Sequence, residues 1–365
     1  MDIRSTRAFK FWEKYQHHLG VGAVIFGFLF DLEIAKRPDS IFNNLLLLSY
    51  LAMAGALIVV LNLRQTKRAT EQGSYEPFFL LLALQFCFGG LAGNMLVLYG
   101  HSGTLVGNAM FLGLWVLLVL GNEYFRNRYT LLRLNVGMYY LLLLSYLLIA
   151  VPVFVTHSIG AWTFVLTGVI SLICIGLFLT LLFFAVFRGR DIKSLRGVVY
   201  VVGAIFIAFN ILYFSNAIPP VPLSLKDIAV YHSVLKTSDG NYVVLYEPHR
   251  WWEFWRDSAP TYTITAGSGA YCFSSVFAPS DLTTPVYHRW EAKNTATNQW
   301  ETESRVVFSI NGGRADGYRG YTTKASLTPG EWRCSVETGQ GQLIGRVSFE
   351  VIISSTTPAL SQKTL

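Results

Sequence analysis

A glycine-rich stretch that carries two arginines, NGGRADGYRGYTTK, occupies residues 311–324. Such a stretch could hold a phosphate on its backbone N–H groups, bind nucleic acid through its arginines, or turn the chain between two strands. A phosphate-binding loop has a Gly-Lys-Ser/Thr sequence followed by a helix, whereas this stretch lacks that sequence and continues into a strand pattern. We therefore predict a hairpin turn at Gly312 and Gly313, followed by the returning strand. Three residues beside the turn are candidates for ligand contact: Arg314, Tyr318 and Arg319.

A second candidate site is the aromatic segment EPHRWWEFWRDSAP, residues 247–260, which contains Trp251, Trp252 and Trp255. Tryptophan collects at membrane interfaces because its ring is apolar while its N–H group tolerates water. Three interpretations are open for these tryptophans: docking on the outer leaflet of a membrane, stacking on sugars, or packing beneath neighbouring β-sheets.

Charged residues alternate with apolar ones in the strand patterns near the C-terminus. Arg289, Arg333 and Arg346 fall on one side of their strands. Their expected acidic neighbours are Glu291, Glu337 and Glu350. This side is either a surface for anions or acidic glycans, or a solvated face on which opposite charges pair across strands.

Histidine and serine give no recognisable catalytic pattern. His232, His249 and His288 lack the spacing to cysteine or carboxylate that a zinc site requires. No serine lies in a nucleophile elbow or beside an identifiable base. We therefore predict no metal, no cofactor and no catalytic residue.

The elements that must position these residues divide into two halves. Mean hydropathy is +0.41 and charged residues make up 14% of the chain, well below the ~25% of soluble domains. Residues 1–218 hold 16 Lys/Arg against 9 Asp/Glu, which accounts for the whole net charge of +7, while residues 219–365 hold 13 of each. Because a nucleic-acid-binding module would carry the basic excess itself, the neutral C-terminal half excludes that class.

Seven apolar segments are long enough, or nearly so, to cross a bilayer. They are residues 19–35, 41–63, 78–99, 105–122, 134–155, 162–187 and 198–218. Lys and Arg occur 14 times in the N-terminal tail and every second connector, but only as Lys36 and Arg37 in the other connectors. Since basic loops stay in the cytoplasm, the N-terminus is predicted to be cytoplasmic and the C-terminal half to lie outside. Residues 1–18 are expected to form an amphipathic segment on the cytoplasmic leaflet or an extension of the first span.

Polar residues inside the apolar segments are few. Asp31 and Glu33 end the first segment and face Asn43 and Asn44 at the start of the second. This group is either a polar site at the outer surface or a pair of ordinary interfacial ends. Five amides deeper in the segments are expected to form hydrogen bonds between helices: Gln85, Asn94, Asn108, Asn135 and Asn210.

The C-terminal half begins with Pro219, Pro220 and Pro222, which predict a stiff, extended linker over residues 219–226. Beyond it the hydrophobic period changes to two, giving seven or eight short strands. We expect an all-β sandwich over residues 227–355 and a disordered tail over residues 356–365. Cys272 and Cys334 would both lie in the oxidising compartment, so they are predicted to form a disulfide. Two separately buried thiols are the alternative.

Residues 286–351 carry a dense set of motif positions. They are His288, Trp290, Gly312-Gly313-Arg314, Gly317-Tyr318-Arg319, Lys324, Pro329-Gly330, Trp332-Arg333, Thr338, Gly341-Gln342, Ile344-Gly345-Arg346 and Phe349. Over about residues 270–353 the chain resembles the bacterial family called domain of unknown function 2914. Cys334 departs from the family pattern, which has an aliphatic residue there. The helical half, including GFLFDLEIAKRPDSIFNNLLLLSY, resembles the membrane region of longer members. The resemblance implies architecture and bacterial origin but no catalytic residue, because the family has no established activity.

The sequence therefore predicts a multi-pass bacterial inner-membrane protein. Its membrane domain, residues 19–218, is an all-α bundle of about seven helices, and an all-β periplasmic domain follows. The predicted function is noncatalytic: the β-domain binds an envelope protein or a surface or wall glycan, with the lipid bilayer as a further partner and no nucleic acid. The alternatives are a membrane transporter or sensor with the β-domain as an accessory, and an envelope enzyme with a site between bundle and β-domain.

Overall fold

The computed structural model describes residues 37–68, 78–104, 108–125, 131–187, 192–248, 260–265, 268–279, 282–313 and 317–365. The chain divides into two compact units. The first contains the helices. The second consists of Ser215–Leu365 together with two connectors between helices, Gly100–Ala109 and Pro152–Ala161.

Six helices precede the β-domain in the described part of the chain. They are α1 (Ile41–Arg68), α2 (Phe78–His101), α3 (Ala109–Phe125), α4 (Leu132–Val151), α5 (Ala161–Leu182) and α6 (Ile192–Phe214). π-helical turns extend α4 over Pro152–Thr156 and α5 over Phe183–Phe187. The helical form follows from the continuous apolar sequence, because a membrane-embedded backbone must satisfy its own hydrogen bonds.

Five of these helices are long and apolar enough to cross a membrane. The candidate spans are Ile41–Gln65, Phe79–His101, Leu132–Thr156, Ala161–Val186 and Arg196–Phe214. The structure does not support the predicted count of seven. The first predicted span lies outside the described residues, and the predicted fourth span gives α3, whose apolar part is only Ala109–Asn122. α3 begins at Ala109, and residues 105–107, where the predicted span starts, lie outside the described residues.

Helix α4 is the most enclosed span. Within its most apolar window 72% of the residues are buried, against 22% for the spans in α5 and α6. The Tyr99 hydroxyl of α2 donates to the main-chain oxygen of Ser145 in α4 at 3.0 Å. α2 and α3 approach closely at Gly89, where a Cβ atom would lie 2.8 Å from Nδ2 of Asn122. That same nitrogen donates to the main-chain oxygen of Gln85 at 2.9 Å.

The predicted interhelical role is wrong for two of the five amides. Asn210 donates from its side chain to the carbonyl oxygen of Phe206, four residues earlier in the same helix, at 2.8 Å. Asn108 donates to Thr104 in its own turn at 3.3 Å. A side chain one helical turn away from a carbonyl satisfies itself without any partner helix.

Eleven strands lie in the described part of the β-domain, where seven or eight were predicted. They are β1 (Ser224–Tyr231), β2 (Ser233–Lys236), β3 (Tyr242–Tyr246), β4 (Thr261–Ile264), β5 (Ala270–Phe277), β6 (Thr283–Lys293), β7 (Trp300–Asn311), β8 (Tyr318–Lys324), β9 (Gly330–Thr338), β10 (Leu343–Ile353) and β11 (Ser361–Thr364). They form three sheets in the orders β4-β10-β9-β6-β7, β1-β5-β8 and β11-β3-β2. β4 and β10 are parallel, and the other pairs are antiparallel.

Within the β1-β5-β8 sheet, β1 and β5 pack against cores on both faces, so the domain has three layers there rather than the two of a simple sandwich. On one face Cys272 packs into the main core. Trp290 and Trp332 of the five-stranded sheet belong to the same core. The other face contributes Tyr231 and Phe273 to a second core shared with β2 and β3. A strand buried on both sides loses the polar alternation by which strands are recognised.

The predicted extended linker is also wrong. Pro219, Pro220 and Pro222 are buried, and the main-chain N–H of Leu223 donates to the oxygen of Pro220 at 3.0 Å in a turn. β1 then begins at Ser224, inside the predicted linker. Hydrophobic residues between and after the prolines draw this segment into the β-domain.

The C-terminal residues are ordered, contrary to the prediction for 356–365. Ser361–Thr364 form β11, which pairs with β3. Leu365 and Tyr242 exchange two main-chain hydrogen bonds, at 2.8 and 3.1 Å. The tail adds an edge strand because the unpaired edge of β3 offers it backbone partners.

The glycine pair at Gly312 and Gly313 does not form the predicted hairpin. β7 pairs with β6 in the five-stranded sheet, whereas β8 pairs with β5 in a different sheet. A Cβ atom on Gly312 would collide with the carbonyl oxygen of Pro279, and Gly313 has a φ of 98°. The glycines therefore allow a close crossing from one sheet to the next.

Candidate functional site

Few of the predicted ligand residues can be placed. Trp251, Trp252, Trp255 and Arg314 lie outside the described residues. Of the others, Tyr318 is partly buried against the main core, a position typical of a structural residue. Arg319 is next to it on β8.

The predicted intramembrane polar cluster is half described. Asp31 and Glu33 lie outside the described residues. Asn44 donates from Nδ2 to the main-chain oxygens of Pro38 and Ser40, both at 2.9 Å, so it stabilises the start of α1. Asn43 is buried, and its side-chain amide makes no hydrogen bond among the described residues. These two asparagines do not by themselves form a ligand site.

A denser polar group lies on the outward face of the five-stranded sheet, opposite the core. We call it the arginine face, and it consists of Arg289, Arg305, Arg333, Arg346, Glu291, Glu337 and Ser335. Strand pairing places four of these residues in one row across β7, β6, β9 and β10: Arg305, Arg289, Ser335 and Arg346. The face forms because Trp332, Cys334 and Val336 point into the core, which turns the alternate residues of β9 outward.

Strand alternation predicted three of these arginines and both carboxylates, but it missed Arg305. Only the register shows that Arg305 of β7 lies directly opposite Arg289 of β6. Glu350, the third predicted acidic neighbour, lies opposite Glu331 and is exposed, outside the arginine face.

Two carboxylates lie beneath the guanidinium groups. Glu291 is 3% exposed and Glu337 is 3% exposed. Arg333 binds Glu291 with two hydrogen bonds, from Nε at 2.6 Å and Nη2 at 2.9 Å. Arg305 Nε donates to Glu337 at 2.7 Å. Burial alone would raise the pKa of Glu291, but the hydrogen bond from Arg333 and the charges of three arginines lower it below its ordinary value.

The other two arginines of the row keep most of their donors unused. Arg289 Nε lies 3.1 Å from Glu337 Oε2, yet neither atom makes a hydrogen bond in the described part of the chain. Arg346 donates from Nε to the Ser335 hydroxyl at 2.8 Å. Burial lowers the pKa of Arg346, and the positive charge of Arg333 lowers it further. The face thus holds more positive charge than its carboxylates balance.

Two aromatic rings border the arginine face, and each is covered by a guanidinium group. Arg305 lies over the ring of Tyr287 at 3.9 Å, and Arg333 lies over the ring of Trp300 at 4.2 Å. Such cation–π contacts fix the arginine planes. The ring faces under these arginines are therefore not open for stacking on a sugar.

A second polar group lies in the core, around His288. Its Nε2 is 2.7 Å from the Ser274 hydroxyl and its Nδ1 is 3.0 Å from the Thr322 hydroxyl. Trp290 Nε1 donates to the same Thr322 oxygen at 3.1 Å. Burial lowers the pKa of His288 to about 3, so the ring is neutral. A buried neutral imidazole between hydroxyls stabilises the core and does not reach a substrate.

The predicted bond between Cys272 and Cys334 is present as a disulfide, and it joins β5 to β9 across the core. Together with His288 these sulfur atoms form a group whose ligand atoms lie within 4.8 Å of one another. Metal binding requires free thiolates. The sulfur atoms are bonded to each other, so this group acts as a crosslink and not as a metal site.

Residues 283–351 match the family described as "Protein of unknown function (DUF2914)". The match begins at the first residue of β6 and ends within β10, so it contains the whole arginine face. It does not extend to the helices. No curated protein matches the chain.

Solved structures resemble parts of the chain only at low TM-scores. An immunoglobulin-like protein from Pseudomonas aeruginosa is 16% identical, over 34% of this chain and 97% of that chain, with a TM-score of 0.21. A β-glucosidase from Listeria innocua is 10% identical, over 37% of this chain and 18% of that chain, with a TM-score of 0.20. A DNA glycosylase from Pseudomonas fluorescens is 10% identical, over 87% of this chain and 99% of that chain, with a TM-score of 0.23. At these scores the resemblances carry no argument about function.

Proposed function

We propose that this chain is a bacterial inner-membrane protein whose periplasmic β-domain binds an envelope partner, a protein or a glycan, through the arginine face. The observation that carries the proposal is the composition of that face. Four guanidinium groups surround two buried carboxylates, an arrangement that holds side chains rigidly while leaving positive charge at the surface. Rigid, charged surface groups are typical of recognition sites.

The periplasmic location has its own support. The two connectors that belong to the same compact unit as the β-domain, Gly100–Ala109 and Pro152–Ala161, contain no Lys or Arg. The connectors on the other ends of these helices contain Arg126, Arg128, Arg188 and Arg190. Because basic connectors remain in the cytoplasm, the β-domain belongs on the opposite side.

Binding is favoured over catalysis by the placement of the groups that could react. The closest serine–histidine pair in the described chain, Ser274 and His288, is fully buried. The arginine face has no nucleophile other than Ser335, which is buried and held by Arg346 and Glu291. Arginine and carboxylate side chains of this kind recognise and orient a ligand.

Alkaline phosphatase fusions test the location, since this enzyme is active only in the periplasm. A fusion after Leu365 should be active and a fusion after Arg190 inactive, with a green fluorescent protein fusion at each site giving the reverse pattern. Activity at Arg190 together with silence at Leu365 would refute the proposed orientation.

Photo-crosslinking tests the binding. Ser348 is exposed on β10, directly opposite Arg333, so a photoreactive phenylalanine analogue there reports on the arginine face. Lys236, exposed on β2 in another sheet, is the matched control site. We expect adducts with an envelope component from position 348 and none from position 236. Equal labelling at both positions, or none at either, would contradict the proposal.

A further inference from the structure

The arginine face also indicates what its ligand is, and this step rests on the proposed function. We infer that the ligand is a carboxylate-bearing polysaccharide, bound between Arg289 and Arg346 above Ser335.

The first argument is the shape of the row. Ser335 lies opposite Arg289 on one side and opposite Arg346 on the other. Neighbouring strands are ~4.8 Å apart, so the two arginines stand on strands separated by about 10 Å. The serine between them is fully buried and accepts a hydrogen bond from Arg346 Nε, so a ligand above it would meet guanidinium groups and not the hydroxyl.

The second argument is the charge within the row. Arg305 lies directly opposite Arg289, and like charges in that position destabilise a sheet. Two carboxylates offset only part of the charge of four arginines, leaving an excess of two positive charges (four minus two). An anion bound beside Arg289 and Arg346 would offset part of this excess positive charge.

The third argument is the supply of hydrogen-bond donors. Arg289 makes no hydrogen bond in the described part of the chain, and Arg346 makes one, from Nε. Their terminal nitrogens are therefore available to a ligand. Guanidinium and carboxylate groups form paired, parallel hydrogen bonds, as Arg333 and Glu291 already do in the same face.

The remaining argument separates an acidic glycan from other occupants. A neutral glycan would need open aromatic rings, but Tyr287 and Trp300 lie under arginines. A protein partner usually places apolar residues at the centre of an interface, where charge is depleted. The centre of this face consists of charges and one hydroxyl group. A hydrophilic polymer whose carboxylates repeat along the chain needs neither open aromatic rings nor an apolar centre, so it fits this face.

The test measures binding of oligogalacturonate to the full-length protein in nanodiscs of phosphatidylcholine, whose headgroups carry no net charge. Neutral malto-oligosaccharide of the same length and poly-glutamate are the comparison ligands. Oligogalacturonate should bind, more weakly at high ionic strength, and the neutral oligosaccharide should not. Arg346→Gln should weaken binding about tenfold, the effect of losing one charge-assisted contact. Lys236→Gln, which removes the same charge from another sheet, should leave affinity unchanged.

Arg346 is suitable for this test because its only hydrogen bond in the described chain is to the Ser335 hydroxyl, whereas Arg289, Arg305 and Arg333 form close ion pairs with the carboxylates. Its charge also acts on Glu291, so the melting temperature of the same variant is measured. An unchanged melting temperature in Arg346→Gln establishes that the fold is intact. Equal binding of the neutral oligosaccharide, tighter binding of poly-glutamate, or equal loss in both variants would overturn the assignment. If oligogalacturonate does not bind while position 348 still crosslinks to an envelope protein, the inferred ligand is wrong but the proposed function stands. If neither occurs, the proposed function falls with it.

Discussion

Polar side chains find their partners in different ways in the two halves of the molecule. In the helices many of the partners are one turn away: Asn62 donates to Ile58, and Thr167 donates to Thr163. In the β-domain the partner is distant in sequence, as for Arg333 and Glu291, which are 42 residues apart. Local bonds keep the helix surfaces apolar toward lipid. Distant bonds gather charge on one surface, and that is the surface for which we propose ligand binding.

The largest effect should come from the crosslink that ties β5 to β9. Replacing Cys272 and Cys334 by alanine frees a loop closed over a sequence separation of 62. The free energy of unfolding of the β-domain should fall by roughly 4 kcal/mol in the chain-entropy model. Hydrogen exchange of β-strand amides in urea would measure it. Alanine at Cys87 and Cys174, which are free cysteines in the helices, is the control. Maleimide labelling of Cys272 and Cys334 in the unreduced protein would contradict the bond itself.

A smaller but still large effect is expected from breaking a long-range pair in the arginine face. Glu291→Gln leaves the Arg333 guanidinium without its carboxylate, so the β-domain should lose about 3 kcal/mol. The matched variant is Glu331→Gln. The Glu331 side chain is 55% exposed and pairs with Lys293, so its loss should lower the free energy of unfolding by no more than about 0.5 kcal/mol. Chemical denaturation of both variants would measure the difference.

The same pair should also show in the pH dependence of stability. The pKa of Glu291 is lower in the folded protein than in the unfolded chain, so its contribution is present above the ordinary glutamate pKa and is lost as pH falls through the folded value. The difference in the free energy of unfolding between the wild type and Glu291→Gln should therefore become smaller in strong acid. If Glu291→Gln and Glu331→Gln lowered the free energy of unfolding equally, the pair of Glu291 and Arg333 would be no stronger than a surface ion pair.

Acid should also weaken the fold through His288, in a different pH range. Its pKa is lowered to about 3 in the folded protein, while the unfolded chain binds the proton near pH ~6.5. Between these values stability should fall by about 1.4 kcal/mol for each pH unit. His288→Gln keeps hydrogen-bonding capacity but does not titrate, so its stability curve should be flatter there. Identical slopes for the two proteins would show that His288 is accessible to protons when folded.

The smallest effect belongs to the helices. Asn122→Leu removes a bond from α3 to α2 and should lower stability in detergent by about 0.6 kcal/mol. Asn210→Leu removes only a bond within its own helix, so its melting temperature should stay at the wild-type value. A larger loss for Asn210→Leu would reveal a contact of this residue beyond its helix.

The sequence located the helices well because membrane insertion depends on composition. The start of α1 at Ile41 and that of α2 at Phe78 coincide with the predicted boundaries. The fourth predicted span, residues 105–122, gives a helix whose apolar part is only Ala109–Asn122, because composition alone does not fix the residue at which a helix begins. Strand number was underestimated for a related reason: β5 is buried on both faces and gives no alternating pattern.

The candidate site was only partly within reach of the sequence. Alternation along β9 determined that Arg333 points away from Trp332 and Cys334, because successive side chains of a strand point to opposite faces. It could not determine that Arg305 faces Arg289, or that Ser335 separates Arg289 from Arg346, since those contacts depend on register between distant strands.

The sequence by itself determined the two halves of this protein, its apolar helices and the facing of its strands, because these follow from local composition and period. Tertiary structure alone decided which sheet each strand joins. β7 and β8 have the same local pattern whether they form a hairpin or cross between sheets, and only the close approach of Gly312 to Pro279 separates the two outcomes. The pairing of β7 with β6 completes the arginine face, because it places the charge of Arg305 opposite that of Arg289.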